Sequence, residues 1–326
     1  MYKRQIFYRA NTVGGYTYGV VGTVSGTSIS FGTPVVAQNS NNSWQGATFD
    51  STNNKAIVTF RDDGDGGKGK CKVGTVSGDS ISFGSATAFE SGGVQRTVPT
   101  FDSSNNKVVV AYIDNGNSSY GTAAVGTVNN TAISFGTPVV FNTGSTGYPG
   151  IVYDSSNNKV VVAYTDNGNS AYGSARVGTV SGTSISFGPE VVYESATVTA
   201  GNLLAYDSDN QKVIIAYSDQ GNSSYGTAVV GTVSGTSISF GSPVVFASSS
   251  ISYPGIAFDS QNAKVVISYQ DAGDSSKGKA IPFQATSLVT NLTSENYIGI
   301  AAEAIANGAT GKINIAGGVN LSLIHI

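Results

Sequence analysis

The sequence predicts an all-β chain, a β-propeller of four-stranded blades, and three observations carry that expectation. The first is an internal repeat of about 52 residues: Asp50, Asp102, Asp154, Asp207 and Asp259 follow one another at 52 or 53 residues. Lys55, Lys107, Lys159, Lys212 and Lys264, and Phe31, Phe83, Phe135, Phe187 and Phe240, keep the same spacing. The second is composition. Only 11% of the residues are charged and 42 are glycine, which suits short strands joined by tight turns and argues against surface helices rich in Glu and Lys. The third is that every unit contains four strand signals separated by turn residues.

The elements follow in order within the best-kept unit. Residues 150–153 are a short apolar first strand. An Asx-rich turn over 154–158 leads to a β-branched second strand, 159–165, and a polar loop, 166–171, leads to the third, 172–180. The pair Ser181-Gly182 then turns the chain into a fourth strand, 184–193. Four antiparallel strands in 40–50 residues is the pattern of a propeller blade. One such unit cannot bury both of its faces, and stacking against neighbours around a ring does so. A β-solenoid is the rival reading, but its coils are shorter and lack a hairpin turn at each strand end.

Tyr8 matches Tyr112 two periods later, so residues 5–10 read as a second strand without its first. At the other end, 264–271 and 278–285 give second and third strands, and the expected Ser-Ile-Ser-Phe-Gly strand does not follow. About six blade phases are therefore visible, the outer two incomplete, and ring closure is left open. The propeller is assigned to residues 6–285. Residues 286–320 read as a small, truncated β-rich module, with segments 296–306 and 312–319 around an Asn307-Gly308 turn that favours a hairpin. A short helix over 301–306 is the alternative. Residues 1–5 (MYKRQ) and 321–326 (LSLIHI) fit neither pattern and look like adapter sequence translated at gene ends; they are expected to lie outside the fold.

Several function classes are disfavoured. Cys71 is the only cysteine, so no intrachain disulfide forms, and His325 is the only histidine, which removes His-dependent triads and most metal sites. A net charge of −3 offers no footprint for nucleic acid. No apolar run has the length of a membrane span, and the first ten residues show no signal-peptide core. No cofactor is expected.

The phrases YDSSNNKVVVAYTDNGNSAYG and VGTVSGTSISFGTPVVF, with the segment NLTSENYIGIAAEAIANGATGKINIAGG, resemble a repeat family of marine bacteriophages and metagenomes. The likeness covers nearly all of the chain between its two ends. It implies a virion component, structural or tail-associated, located on the virion or outside the cell, and it identifies no ligand. A looser likeness is to sialidase-type propellers. Their Asp-box falls in the turn between the third and fourth strands, where this chain reads Val-Ser-Gly-Thr-Ser-Ile-Ser-Phe-Gly at 233–241 and lacks the box's aspartate and tryptophan.

Three sets of candidate residues stand out. The loop between second and third strands repeats as D-x-G-N-S-x-Y, giving Asp114 with Tyr120, Asp166 with Tyr172, and Asp219 with Tyr225. It reads either as a polar, aromatic sugar-binding ring or as a set of Asx turns. Asp62, Asp63 and Asp65 lie close together among glycines, somewhat like a calcium loop, but no later acidic ligand follows; a solvated turn is the plainer reading. The segments expected to join consecutive blades as loops, 38–45, 90–98, 142–148, 194–202 and 247–253, vary while the scaffold repeats. They carry Trp44, Arg96, Tyr148 and Tyr253, and loops on a rigid scaffold are where binding residues gather.

The expectation is a non-catalytic, tail-fibre-like virion protein that binds host-surface carbohydrate through its loop face. Its partners would be that glycan or other virion proteins, with a homo-oligomer left open. A purely structural spacer and a divergent sialidase-like glycosidase are the alternatives. Against the last, no carboxylate pair is marked by the sequence, and Arg9, Arg61, Arg96 and Arg176 fall at different blade positions.

Overall fold

The computed structural model describes residues 2–284, 300–301, 310–314 and 320–325. It separates into two compact units, Met1–Ala285 and Thr286–Ile326. The larger unit is all-β apart from single 3-10 turns. Each repeat builds an antiparallel sheet with the same register. In the best-kept copy the second half of strand Val139–Asp154 pairs with Lys159–Asp166, from Gly150 opposite Ala163 to Asp154 opposite Lys159. Lys159–Asp166 pairs in turn with Tyr172–Ser181.

The fourth position differs from the single strand expected over 184–193. It is filled by two pieces, Ser184–Phe187 and the start of Val191–Asp207, both paired with Tyr172–Ser181. Pro189 lies in the gap and has no N–H to give a ladder. The Gly188 N–H keeps its bond, to the Val177 carbonyl at 2.9 Å, and Gly84, Gly136 and Gly241 do the same in their units.

The segments expected as inter-blade loops are a second correction. Four of the five are extended, inside the long strands Thr87–Asp102, Val139–Asp154, Val191–Asp207 and Val244–Asp259. Each such strand is the outer edge of one sheet and then the inner strand of the next. The backbone finds a partner along the crossing: the N–H groups of Val94, Thr146, Val198 and Ile251 reach the carbonyls of Gly67, Ser119, Ala171 and Ser224, at 2.9–3.2 Å. Gly, Ser and Thr hide this from the sequence, because they give no hydrophobic alternation.

The aspartates that mark the repeat shape its tightest turn. Asp154 Oδ1 accepts the backbone N–H groups of Ser156 and Asn157 at 3.0 and 3.1 Å, and its Oδ2 accepts Asn157 Nδ2 at 2.8 Å. Asp50, Asp102 and Asp207 repeat this pattern.

The core lies between sheets. Val109, Ala111 and Val125 of one unit pack with Ile151, Val160, Val162 and Tyr164 of the next. Aromatic pairs mark the same seam, with Phe89 against Tyr112 at 5.1 Å, Phe141 against Tyr164 at 5.2 Å and Tyr193 against Tyr217 at 5.3 Å. Burying apolar area at about 25 cal/mol per Å² favours this stacking, and it explains why the unit must be repeated.

At the start, Tyr2–Ala10 pairs with Tyr16–Ser25, with Tyr8 opposite Tyr18 as Tyr112 is opposite Thr122. It occupies the second-strand position. Residues 2–5, which the sequence sets outside the fold, continue this strand in the frame of the repeat. At the far end Val244–Asp259, Lys264–Asp271 and Lys277–Phe283 form three strands. Among the described residues no ladder closes the sheet from Lys277–Phe283 back to the first units. The first and last repeats nevertheless face one another across a cleft of about 780 Å³ lined by Val24, Gly26, Phe258 and Gln261.

In the smaller unit, Ile300–Ala301 pairs with Thr310–Asn314, which pairs with Asn320–His325. Ala301 is thus in a strand; the Asn307-Gly308 turn and the alternative helix beyond Ala301 fall outside the described residues. No helix among the described residues is long and apolar enough to cross a membrane.

Candidate binding site on the axis

Each inner strand is interrupted at the same place, and Val191–Asp207 slips a second time just before it, between Val198 and Gly201. The registers slip between Ser43 and Gly46, opposite Ala111 and Ile113, between Gly147 and Gly150, between Gly201 and Leu203, and between Ser252 and Gly255. These are β-bulges, which bend a strand and re-aim a side chain. The bulged residues are Trp44, Arg96, Tyr148 and Tyr253, with φ of 54°, 53°, 44° and 48°. Positive φ is uncommon outside glycine and a true outlier for bulky residues. In the remaining copy one extra residue shifts the frame, and positive φ falls on both Gly201 (123°) and Asn202 (56°), the latter skipped between Gly201 opposite Tyr217 and Leu203 opposite Ala216.

These positions converge. Trp44, Arg96, Tyr148, Gly201, Leu203 and Tyr253 line one cavity of about 490 Å³. They come from five successive repeats, which a straight stack of sheets does not bring together. The Arg96 guanidinium carbon lies 4.6 Å from the centre of the Trp44 ring and 3.9 Å from that of Tyr148. Trp44 is 40% exposed and Tyr253 83%, so two aromatic surfaces face solvent at the mouth.

A buried polar belt holds the bulges. Thr97 Oγ1 donates to the Trp44 carbonyl at 2.8 Å and lies 3.0 Å from Thr59 Oγ1. Asn202 Nδ2 donates to the Tyr148 carbonyl at 2.9 Å and to Thr165 Oγ1 at 3.1 Å, and its Oδ1 accepts from the Tyr193 hydroxyl. Thr59, Thr97, Thr165 and Asn202 are all buried. Bonds between groups withdrawn from water are costly to leave unmade, so the Trp44 and Tyr148 bulges are fixed from the following repeat.

The structure thus brings Trp44, Arg96, Tyr148 and Tyr253 together in bulged strands. The D-x-G-N-S-x-Y residues are placed elsewhere. Asp114 and Asp219 accept the N–H groups of Asn117 and Asn222 at 3.2 Å each, and Asp166 accepts that of Gly168 at 3.0 Å. These are Asx turns, and Tyr120, Tyr172 and Tyr225 beside them are half-buried. Burial, and then the charge of Glu90, raises the Asp114 carboxyl above its ordinary value. The three clustered aspartates each meet a cation: Asp62 meets Lys70 at 2.9 Å, Asp63 meets Arg61 at 2.6 Å, and Asp65 meets Lys68 and Lys70 at 2.9 and 2.7 Å. Among the described residues no three acidic, His or Cys groups are placed to hold a metal ion.

Glu90, Glu190 and Glu194 are engaged too, accepting the hydroxyls of Tyr112, Tyr164 and Tyr217 at 3.1, 3.1 and 3.0 Å. Burial first, and then the nearby Glu90 and Glu194 charges, push the Tyr112 and Tyr217 phenols far up. Sequence reasoning missed Thr97, Gly201, Asn202 and Leu203. One signal was present: positions 44, 96, 148, 201 and 253 are spaced as the repeat itself.

Neither a protein-family model nor a curated protein matches this chain. Solved structures match it in fold. The BP39L lectin from Burkholderia pseudomallei aligns with a TM-score of 0.54 and 12% identity, over 98% of this chain and 90% of the lectin. A protein of unknown function from Dyadobacter fermentans gives 0.55 and 13%, over 79% and 80%. The K499G mutant of NanB sialidase from Streptococcus pneumoniae gives 0.52 and 9%, over 86% of this chain and 66% of the sialidase. This chain therefore spans just under two thirds of that sialidase. At such identities the likeness is one of fold, and the fold is that of sialidase and lectin β-propellers.

Proposed function

We propose that this chain is a non-catalytic, tail-fibre-like virion protein that binds host-surface carbohydrate in the axial cavity. In this reading its six repeats form one propeller ring with an incomplete first and last blade. The observation that carries the binding role is the set of bulky residues, Trp44, Arg96, Tyr148 and Tyr253, held at positive φ around one cavity. Strained backbone of this kind costs about 1–3 kcal/mol per residue and persists where the surroundings enforce it, often at ligand sites. A concave, mostly apolar site with few polar groups is the usual form of a small-ligand pocket, and exposed aromatic faces suit the apolar faces of sugar rings. The fold shared with a lectin supports the reading. The virion role rests on the resemblance of the repeat phrases to bacteriophage proteins.

The absence of turnover is argued from the lining. Glycoside hydrolysis uses two carboxyl groups flanking the bond, and no carboxylate is among the described residues lining this cavity. The test is a glycan array and attachment to bacterial cells, with the wild type beside the triple variant Trp44→Ala, Tyr148→Ala, Tyr253→Ala. Wild-type binding that is lost in a folded triple variant is expected. Absence of wild-type binding would leave the spacer role, and release of sugar from a bound polysaccharide would restore the catalytic one.

A further inference from the structure

Resting on the reading of the axial cavity as the binding site, we infer that its ligand is a carboxylated saccharide, recognised by Arg96. Three other arginines have polar partners: Arg9 donates to Asn41 Oδ1 at 2.9 Å, Arg61 pairs with Asp63 at 2.6 Å, and Arg176 pairs with Glu190 at 3.6 Å. Arg96 differs. Among the described residues its guanidinium makes ring contacts with Trp44 and Tyr148 and has no hydrogen-bond or ion-pair partner. It is half-buried in the cavity wall, and its backbone is fixed in a bulge at φ 53°.

A guanidinium offers five N–H donors in a planar fork that matches a carboxylate at two points. Contact with the two aromatic rings consumes none of these donors in a hydrogen bond among the described residues and leaves the fork for another group. No acidic side chain among the described residues lines the cavity to supply that group. The site therefore holds a positioned cation without its anion, beside the exposed aromatic ring of Tyr253. An anion carried on a sugar ring satisfies both features: the fork takes the carboxylate, and the aromatic faces take the ring. The same fork takes two oxygens of a tetrahedral oxyanion, but a sulfate ester spreads one charge over three oxygens where a carboxylate spreads it over two, so each carboxylate oxygen is the stronger acceptor.

The experiment measures affinity of the full chain for an array of uronate- and sialate-bearing glycans, the methyl esters of the same glycans, neutral glycans and sulfated galactan. Esterification removes the charge and keeps the sugar. Binding to the best acidic glycan is expected to fall at least tenfold on esterification and about tenfold to a hundredfold in Arg96→Gln, the range for a lost bond to a charged group. Arg96→Lys keeps the charge without the fork and is expected to restore only part. Three results would overturn the inference: esters bound within twofold of the acids, unchanged affinity of folded Arg96→Gln, or preference for the sulfated polymer. Neutral glycans bound as well as acidic ones, with binding lost in the triple aromatic variant, would leave the binding site standing and remove the acid. Failure to bind any member of the array removes both.

Discussion

Tyr253 tests whether the axial residues are held for their surfaces or for the fold. Its backbone sits at φ 48° and its side chain is 83% exposed. The left-handed region costs an L-residue roughly 1–2 kcal/mol through its Cβ. Glycine escapes that cost but adds about 0.4–1 kcal/mol of chain entropy to the unfolded state. So little of the ring is buried that its removal gives back little. Tyr253→Gly should therefore be about 0–1 kcal/mol more stable than the wild type, while Tyr253→Ala, which keeps the strained Cβ, should not gain. In thermal melts a difference of 1 kcal/mol corresponds to about 2–4 °C, and urea titration gives the same order. The same glycine variant should lose affinity for whichever glycan the array identifies. A Tyr253→Gly protein that melts below Tyr253→Ala would refute the reasoning, since contacts of the ring rather than the demands of the bulge would then be holding the strand.

Gly150→Ala should destabilise by at least ~2 kcal/mol in urea titration, because its Cβ would stand 1.7 Å from the Asn202 carbonyl oxygen on the neighbouring inner strand. Cys71 is fully buried, and burial pushes its thiol far above the ordinary range, so a thiol reagent at pH 8 should label it only after denaturation. The Lys279 ammonium and then the Ser249 hydroxyl hold the Asp271 carboxyl down at about 2. Because this lies below the unfolded value of about 3.9, its stabilising contribution is complete above about pH 4 and is lost as pH falls toward 2. Lys279→Met should flatten that part of the stability–pH curve.

The fold was legible because the repeat is spelled in turn chemistry. Asp154 and Asn157 can be recognised as a turn without coordinates, since the carboxylate bonds made there are local. The crossings were not legible: Asn142–Thr146 contains no apolar alternation, and its extended form depends on bonds such as Thr146 N–H to Ser119, 27 positions earlier in the chain. The site was half legible. Trp44, Arg96, Tyr148 and Tyr253 stood out as unrepeated letters, but as members of separate loops. That they share one cavity follows from the bulges, and a bulge is a property of pairing between strands. Asn202 and Thr97 carry no local sign of their role, because each acts on a carbonyl of the preceding repeat.

That dependence on the neighbouring repeat makes Asn202 the place to ask how the site is kept rigid. Its amide ties the Tyr148 carbonyl, the Thr165 hydroxyl and the Tyr193 hydroxyl together in a site closed to water. Asn202→Ala removes the amide and leaves the Tyr148 carbonyl and Tyr193 hydroxyl without it, at about 1–3 kcal/mol for each unsatisfied group. Stability should fall by about 2–6 kcal/mol for the two groups together, and Asn202→Gly, which eases the positive φ of 56°, should recover the backbone part without the bonds. Affinity should fall as well, at a temperature where both variants are fully folded. The Tyr148 bulge would no longer be pinned, and the ring against which Arg96 rests would lose its fixed position. If folded Asn202→Ala binds as tightly as the wild type, Tyr148 is placed by its own strand alone, and the repeats do not fix one another's share of the cavity.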